Sequence, residues 1–282
     1  MLELKLDTPF KNAPVFYKPE TESTMIDARN LASQGFPTGT LVVTSYQIAG
    51  RGRFPDRKWE SPPDESLLCT LILRTGDVPA PPGPLHLKAA LAIATLLEEE
   101  FNLSPRIKWP NDVLLKDRKV AGVLAEARDQ AILVGMGINC LQKSFPRELR
   151  KTATSIRKVS GRKFEVQELI SPLLNHLHRW ILGTPGNTSG MSSSGGIPAG
   201  EEHPLETVQA TARSIRWKGE LESRLHQRNE SVWFQPGIPG QDEPIAGTIL
   251  GVTEEGILLL RPEGSSQILE FAAGEILFPA KS

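Results

Sequence analysis

The sequence predicts an α+β chain: a larger unit built on a mixed or antiparallel sheet, with helices set apart, followed by a small all-β unit. Three observations predict it. Short apolar, β-branched runs recur through the first half without regular βαβ alternation (TLVVTS at 40–45, SLLCTLILR at 66–74, QAILVGMGI at 130–138). Helical periodicity is confined to a few separate stretches, the longest being LHLKAALAIATLLEEEF at 85–101. From Ser231 onward, short β-like runs follow one another between turn residues. A length of 282 residues accommodates one large or two modest domains. The onset of successive β-like runs puts the expected boundary between 1–228 and 229–282.

The elements follow in order. Ala13–Tyr17 is a short strand. Ser23 or Thr24 suits a helix N-cap, with Asp27 as a capping-box acid and Gly35 just past the helix end. Thr40–Ser45 and Ser66–Arg74 are buried strands on either side of the loop Gln47–Trp59. The apolar width of 85–101 calls for burial against a sheet. Two apolar runs flanking Lys116–Lys119 read as a hairpin with a polar turn, and the strand Gln130–Ile138 follows. Residues Glu165–Leu182 form a helix with Pro172 as a possible kink. His176 and His178 point to different faces of it and do not chelate one metal well. Residues 184–204 (TPGNTSGMSSSGGIPAGEEHP) are Gly/Ser/Pro-rich and read as a flexible insertion. A further helix is expected over Leu205–His226. The runs SVWFQ, AGTILGV, GILLLR, SQILEF and EILF then make a small β-barrel, SH3-like in size.

Composition narrows the function. Lys+Arg (32) and Asp+Glu (33) balance to a net charge of −1, so no global basic field points to nucleic acid. The two cysteines, Cys69 and Cys140, lie inside apolar runs without metal-like spacing and read as reduced core residues. No run approaches the ~18 apolar residues of a membrane span. The N-terminus lacks the apolar core of a signal peptide, so the cytoplasm is the expected location.

Positive charge is local instead. QIAGRGRFPDRKW, Gln47–Trp59, carries Arg51, Arg53, Arg57 and Lys58 with two glycines. Arginine forks match phosphate and carboxylate oxygens, and glycines let the backbone approach a ligand. Such a loop between two strands suits closure over a phosphorylated small molecule; its bland alternative is a solvated basic turn. Lys108, before Trp109-Pro110-Asn111-Asp112, is presented from a strand end, since proline holds its predecessor extended and ends the pairing. Gly122 in VAGVLAE permits close backbone approach, and GMGIN closes a strand with two glycines and an amide. None of these has P-loop or Rossmann spacing.

The order Ser23-Thr24, GRGR…RKW, KWPND, K-x-AG-x-L-x-E, G-x-G-x-N and a terminal Gly274-Glu275-Ile276 closely resembles the biotin protein ligase (biotin–[acetyl-CoA-carboxylase] ligase) family across nearly the whole chain. The resemblance implies a class II aminoacyl-tRNA synthetase-like catalytic domain followed by an SH3-like domain. It implies that biotin and Mg-ATP give biotinyl-5′-AMP, and that biotin then passes to one lysine of a biotin carboxyl carrier domain of acetyl-CoA carboxylase. It places Ser23, Thr24 and Gln47 on the biotin rings, with Gly50, Arg51 and Gly52 over the carboxylate and phosphate. Arg53, Arg57 and Trp59 fall on the phosphate and nucleotide side. Lys108 would bridge the biotin carboxylate and α-phosphate, Gly122 would approach biotin, and Asn111 and Asn139 would serve the nucleotide. Lys108, Arg53 and Arg57 are the expected catalytic cations, with magnesium bound mainly through ATP.

These residue types suit that chemistry. Attack of a carboxylate on an α-phosphate brings two anions together, so positioned cations lower the barrier. One lysine about 4 Å from both groups contributes on the order of 4 kcal/mol at an effective dielectric of 20, before desolvation. Met25 departs from the asparagine that commonly follows Ser-Thr in the family, and the loop is one residue longer between its second and third arginines. About twenty residues precede Ser23, too few for the DNA-binding domain of some members, so no DNA binding is expected. A monomer or weak homodimer is expected. A lipoate or octanoate ligase on the same fold and a non-enzymatic synthetase-like module are the alternatives.

Overall fold

The structure, a computed structural model, describes residues 1–54, 56–78, 84–183, 216–238 and 242–277. The expected insertion at 184–204, and the first half of the helix expected at 205–226, lie outside them; 216–224 is helical.

An eight-stranded mixed sheet forms the larger layer. In chain order its strands are β1 (Leu2–Leu4), β2 (Val15–Thr21), β3 (Leu41–Gln47), β4 (Ser66–Arg74), β5 (Arg106–Lys108), β6 (Asp112–Leu115), β7 (Arg118–Arg128) and β8 (Ala131–Asn139). Across the sheet the order is β1-β2-β3-β4-β8-β7-β6-β5. β2 and β3 pair parallel, and the other neighbours are antiparallel.

Strand alternation separates two cores. Leu41, Val43, Leu71, Leu73, Val134 and Met136 face α2 (Leu85–Phe101), whose apolar residues are almost all buried. Val42, Ile72 and Leu133 face the opposite way, onto α1 (Thr24–Ser33) through Met25, Ala28, Leu31 and Ala32. A short α3 (Ile156–Ser160) follows β8. The stretch expected as one helix at 165–182 is helical but changes pitch twice. A 3₁₀ turn (Val166–Leu169) leads into α4 (Ile170–Leu177) and then a π turn (His178–Leu182). Pro172 lies in the first turn of α4, where its missing N–H is tolerated.

The second sheet contains β9 (Ser231–Pro236), β10 (Ile245–Val252), β11 (Leu258–Pro262), β12 (Leu269–Phe271) and β13 (Gly274–Leu277), in the antiparallel order β12-β11-β10-β9-β13. Trp109 joins the two sheets. Its indole is buried beside Phe234, and its Nε1 donates to the Gly256 carbonyl at 3.0 Å.

Two local expectations change. Ser23 is the N-cap of α1 by backbone, but its side chain does not cap. Asp27 is drawn away instead, accepting from Thr21 (2.6 Å) and Lys18 (2.9 Å). The hydroxyl of Thr24 turns to Gln47. Among the described residues no helix is long and apolar enough to cross a membrane. Cys69 and Cys140 are free thiols, and complete burial pushes each up to about 12.

Candidate functional site

The cleft lies on the α1 face of the large sheet, where glycine replaces side chains. On β8, alternation sends Gly135 and Gly137 to the face of Leu133, while Val134, Met136 and Ile138 fill the α2 core. On β7, Gly122 lies directly across from Gly137. A floor without Cβ atoms results. A Cβ on Gly137 would lie 2.6 Å from the Trp59 ring, and one on Gly122 would lie 3.0 Å from Lys119. The cleft encloses ≈ 520 Å³ of empty space, its open mouth included.

One end is built by the start of α1. Gln47 Oε1 accepts from the Thr24 amide (2.8 Å) and the Thr24 hydroxyl (3.0 Å), and Thr24 Oγ1 accepts from Thr70 Oγ1 at 2.8 Å. The wall is the loop 47–59, which folds back on itself through an isolated Arg51–Lys58 bridge. Gly52 N donates to Arg57 O (2.9 Å) and Trp59 N to Gly50 O (3.0 Å). Phe54 lies beneath Arg53 and Arg57, at 4.4 and 5.1 Å from the two guanidinium carbons. The Trp59 indole lies on the glycine floor with its Nε1 buried and without a hydrogen-bond partner among the described residues.

Of the residues singled out in the sequence, Ser23, Thr24, Gln47, Arg51, Gly52, Arg53, Trp59, Asn111 and Gly122 line this cleft. Gly50, Arg57, Lys108 and Asn139 are not among the lining residues. Gly50 supports the loop turn. Arg57 is turned onto Glu275, donating from both terminal nitrogens at 2.9 and 2.7 Å. Asn139 is buried with its amide donating to the Thr154 carbonyl, a structural bond behind the strand end.

Lys108 is 3 % exposed. Burial is the main influence on it and pushes the ammonium down to about 8, against the opposing pull of Asp112 and Glu275. The lysine that lines the cleft is Lys119, which opens the motif K-x-AG-x-L-x-E but was given no site role from the sequence. Its ammonium pairs with Asp112 at 2.7 Å and lies 5.5 Å from the centre of the Trp59 ring. Lys119 is brought there by a β-bulge. Val113 pairs with Ala121 but Leu114 pairs with Lys119, so Val120 is the extra residue and the alternation slips by one. Counting by twos from Gly122 puts Lys119 on the wrong face, and so conceals it. The glycine pair GMG was the visible signal for the floor; for Lys119 the signal was its place at the head of K-x-AG-x-L-x-E.

The ionisable groups form one field. Lys119, Arg57, Asp112 and Glu275 all act on Lys108, while Arg53 is lowered by burial against the pull of Glu275 and Asp112. His86, at the start of α2, is pushed down to about 4 by burial and then by Arg53, so it adds no positive charge at neutral pH. The arrangement is a small apolar floor, a polar end and a cationic end, which suits a ligand with an uncharged ring and an anionic tail.

A profile of the biotin/lipoate A/B protein ligase family matches residues 17–142. The bifunctional ligase/repressor BirA of Bacillus spizizenii is 37% identical over 177 residues, covering 60% of this chain and 54% of that protein. The chain thus spans about half the length of that relative. The biotin protein ligase of Aquifex aeolicus, solved in complex with biotin and ATP, superposes with a TM-score of 0.72 at 26% identity, covering 95% of this chain and 98% of that one. The biotin–[acetyl-CoA-carboxylase] ligase of Paracoccus denitrificans is 34% identical, over 57% of this chain and 70% of its own length. The chain belongs to the biotin protein ligase family.

Proposed function

We propose that this chain activates biotin with ATP to biotinyl-5′-AMP and passes the biotinyl group to a lysine of a biotin carboxyl carrier domain of acetyl-CoA carboxylase. The observation that carries the reading is the polarity of the cleft: the Thr24–Gln47 pair at one end, the Gly122–Gly137 floor under Trp59, and Arg51, Arg53 and Lys119 at the other.

On this reading the carboxylate of biotin attacks the α-phosphorus of ATP, forming an acyl–phosphate bond as the bond to pyrophosphate breaks. No side-chain nucleophile takes part. Lys119 neutralises the two anions as they approach, with Arg53 on the phosphate side; Lys108, behind them, supplies positive potential more than contact. Thr24 and Gln47 orient the ring end, and Ser23 joins them. The loop excludes water from the labile acyl-adenylate. In the second step the neutral amine of the carrier lysine attacks the acyl carbonyl, AMP leaves with the bonding pair, and the amine sheds its proton. Asp112, ion-paired with the cleft-lining Lys119, is the carboxylate assigned to accept that proton.

Magnesium would enter on ATP. Magnesium held chiefly by phosphate oxygens needs few protein ligands; among the described residues no group of three or more His, Cys, Asp or Glu side chains has metal-binding placement. When bound it neutralises the departing pyrophosphate. The reading extends to a synthetase-like catalytic domain over 1–228, an SH3-like barrel over 229–282, a cytoplasmic location, and a monomer or weak homodimer.

The test is incubation with biotin, ATP, Mg²⁺ and a carrier domain, with mass spectrometry of the carrier and lipoate run alongside. A carrier gaining the mass of biotin supports the reading. An unmodified carrier, or one modified only with lipoate, overturns it.

A further inference from the structure

The loop that walls the cleft is fastened to the second sheet. Arg57 and Glu275 are 218 positions apart in sequence and meet in a two-pronged ion pair, Nη1–Oε1 2.9 Å and Nη2–Oε2 2.7 Å. One residue away, Arg53 Nη2 donates to the Gly274 carbonyl at 2.7 Å. Phe54 lies beneath both guanidiniums and spaces them.

The acceptor side is rigid. Gly274 and Glu275 open β13, which pairs with β9 through Gly274–Pro236 and Glu275–Gln235. Gly274 has φ +148, and a Cβ there would lie 2.3 Å from the Phe234 ring. Glycine thus lets β13 lie against Phe234, which itself packs on Trp109 of the large unit. The Glu275 side chain is mostly covered, at 19% exposure, whereas Arg57 is half exposed. A lone pair of this exposure is worth little. Here the geometry is bidentate and a second arginine is held on the neighbouring residue, which restricts the loop far more than one flexible contact.

We propose that Glu275 is a positioning residue: it latches the loop 47–59 through Arg57, so that the second sheet holds Arg51, Arg53 and Trp59 in the cleft wall, and Arg57 serves the latch instead of the phosphate. This rests on the acyl-adenylate reading for its catalytic consequence, but the latch itself is a property of the ligand-free chain. Both terminal nitrogens of Arg57 are already engaged by Glu275, and Arg57 is not among the cleft-lining residues. The division of labour follows: Arg53 both touches Gly274 and lines the cleft, while Arg57 only fastens.

The test has two readouts on Glu275→Gln and on the exchanged pair Arg57→Glu/Glu275→Arg. The first is hydrogen exchange of the loop amides Gly52 and Trp59 in the ligand-free full chain. The second is release of biotinyl-AMP after synthesis. Glu275→Gln is expected to speed both about tenfold, the scale of a lost charge-assisted hydrogen bond. Amides of β4 and β8 should keep their protection, which separates a freed loop from general unfolding. The exchanged pair is expected to restore both readouts. Unchanged loop exchange in Glu275→Gln overturns the latch. An exchanged pair that protects the loop but makes no adenylate overturns the assignment of Arg57, because it shows a phosphate role. Should wild-type chain make no biotinyl-AMP while Glu275→Gln still frees the loop, the latch stands and the biotin reading falls.

Discussion

The indole of Trp59 lies on Gly137: a Cβ added to that glycine would meet Trp59 Cε2 at 2.6 Å. Gly137 is in the middle of the ladder between β4 and β7 and has no left-handed backbone to satisfy. Its glycine is therefore there for the space above it. Gly137→Ala should leave the sheet intact and push the indole, with its loop, into the cleft. Overpacking of this kind costs about 1–3 kcal/mol, so the biotin Kd should rise roughly ten- to hundredfold. Isothermal titration with biotin checks this; an unchanged Kd with an unchanged Tm would show that Trp59 does not border the ligand.

Lys119 and Asn139, two polar residues near strand ends, should separate cleanly. Lys119 is in the cleft and paired with Asp112, whereas Asn139 donates into the backbone at Thr154. Removing a cation aimed at developing phosphoryl charge costs about 10²–10³ in rate. Lys119→Ala should thus lower biotin-dependent pyrophosphate exchange by about that factor with an unchanged melting temperature. Asn139→Ala leaves the Thr154 carbonyl without its donor, and should cost about 1–3 kcal/mol of stability with little change in KM for ATP. Urea unfolding and pyrophosphate exchange on both variants check the pair. The reverse pattern would return the nucleotide role to Asn139.

Much of this site is legible in the chain because its parts are local. Gly/Arg loop, Ser-Thr and KWPND each sit at an element end that apolar periodicity locates, and Leu85–Phe101 and Ser66–Arg74 form where the pattern puts them. Two kinds of information are not local. Lys119 depends on the bulge at Val120, a property of pairing with β6, which no count along β7 alone reveals. Glu275 depends on how the second sheet packs on the first through Trp109 and Phe234. Lys108 and Lys119 lie on the two strands that flank β6, which carries Asp112, and the tertiary register decides which of them lines the cleft. The capping motif at Ser23 misleads for a related reason: the cleft takes Thr24 for Gln47, and a buried cluster takes Asp27.

Lys108 should write an alkaline limb into the pH profile. Burial pushes its ammonium down from 10.5 to about 8 in the ligand-free chain. Below pH 8 it is charged and adds to the positive field beside the cleft, which on the proposed reading receives ATP; as pH rises through 8 that charge is lost. The kcat/KM for ATP, which reports the free enzyme, should therefore fall above about pH 8. Lys108→Arg keeps the charge at all accessible pH and should remove the limb. Stability moves the other way. A lysine depressed in the folded state contributes stability that is present above pH 10.5 and lost as pH falls through about 8. Lys108→Met should accordingly be more stable than wild type at pH 7 while being slower. A limb that persists in Lys108→Arg would assign it to another group.

Trp109 ties the two sheets, and its replacement tests whether they unfold together. The indole is 1 % exposed, contacts Phe234 across the boundary and donates to the Gly256 carbonyl at 3.0 Å. Trp109→Phe keeps most of the apolar contact and leaves that carbonyl without its donor, so about 1–3 kcal/mol should be lost. Trp109→Ala adds a cavity at the seam, and about 3–5 kcal/mol should be lost. Because the lost contacts bridge the sheets, the alanine variant should also split one urea transition into two, with the second-sheet probe Trp233, which is 55% exposed, reporting the earlier one. Fluorescence and far-ultraviolet circular dichroism recorded on the same samples decide it. Coincident curves for the alanine variant would mean that the sheets are coupled through the remaining contacts, foremost Arg53–Gly274 and Arg57–Glu275, strongly enough to unfold as one.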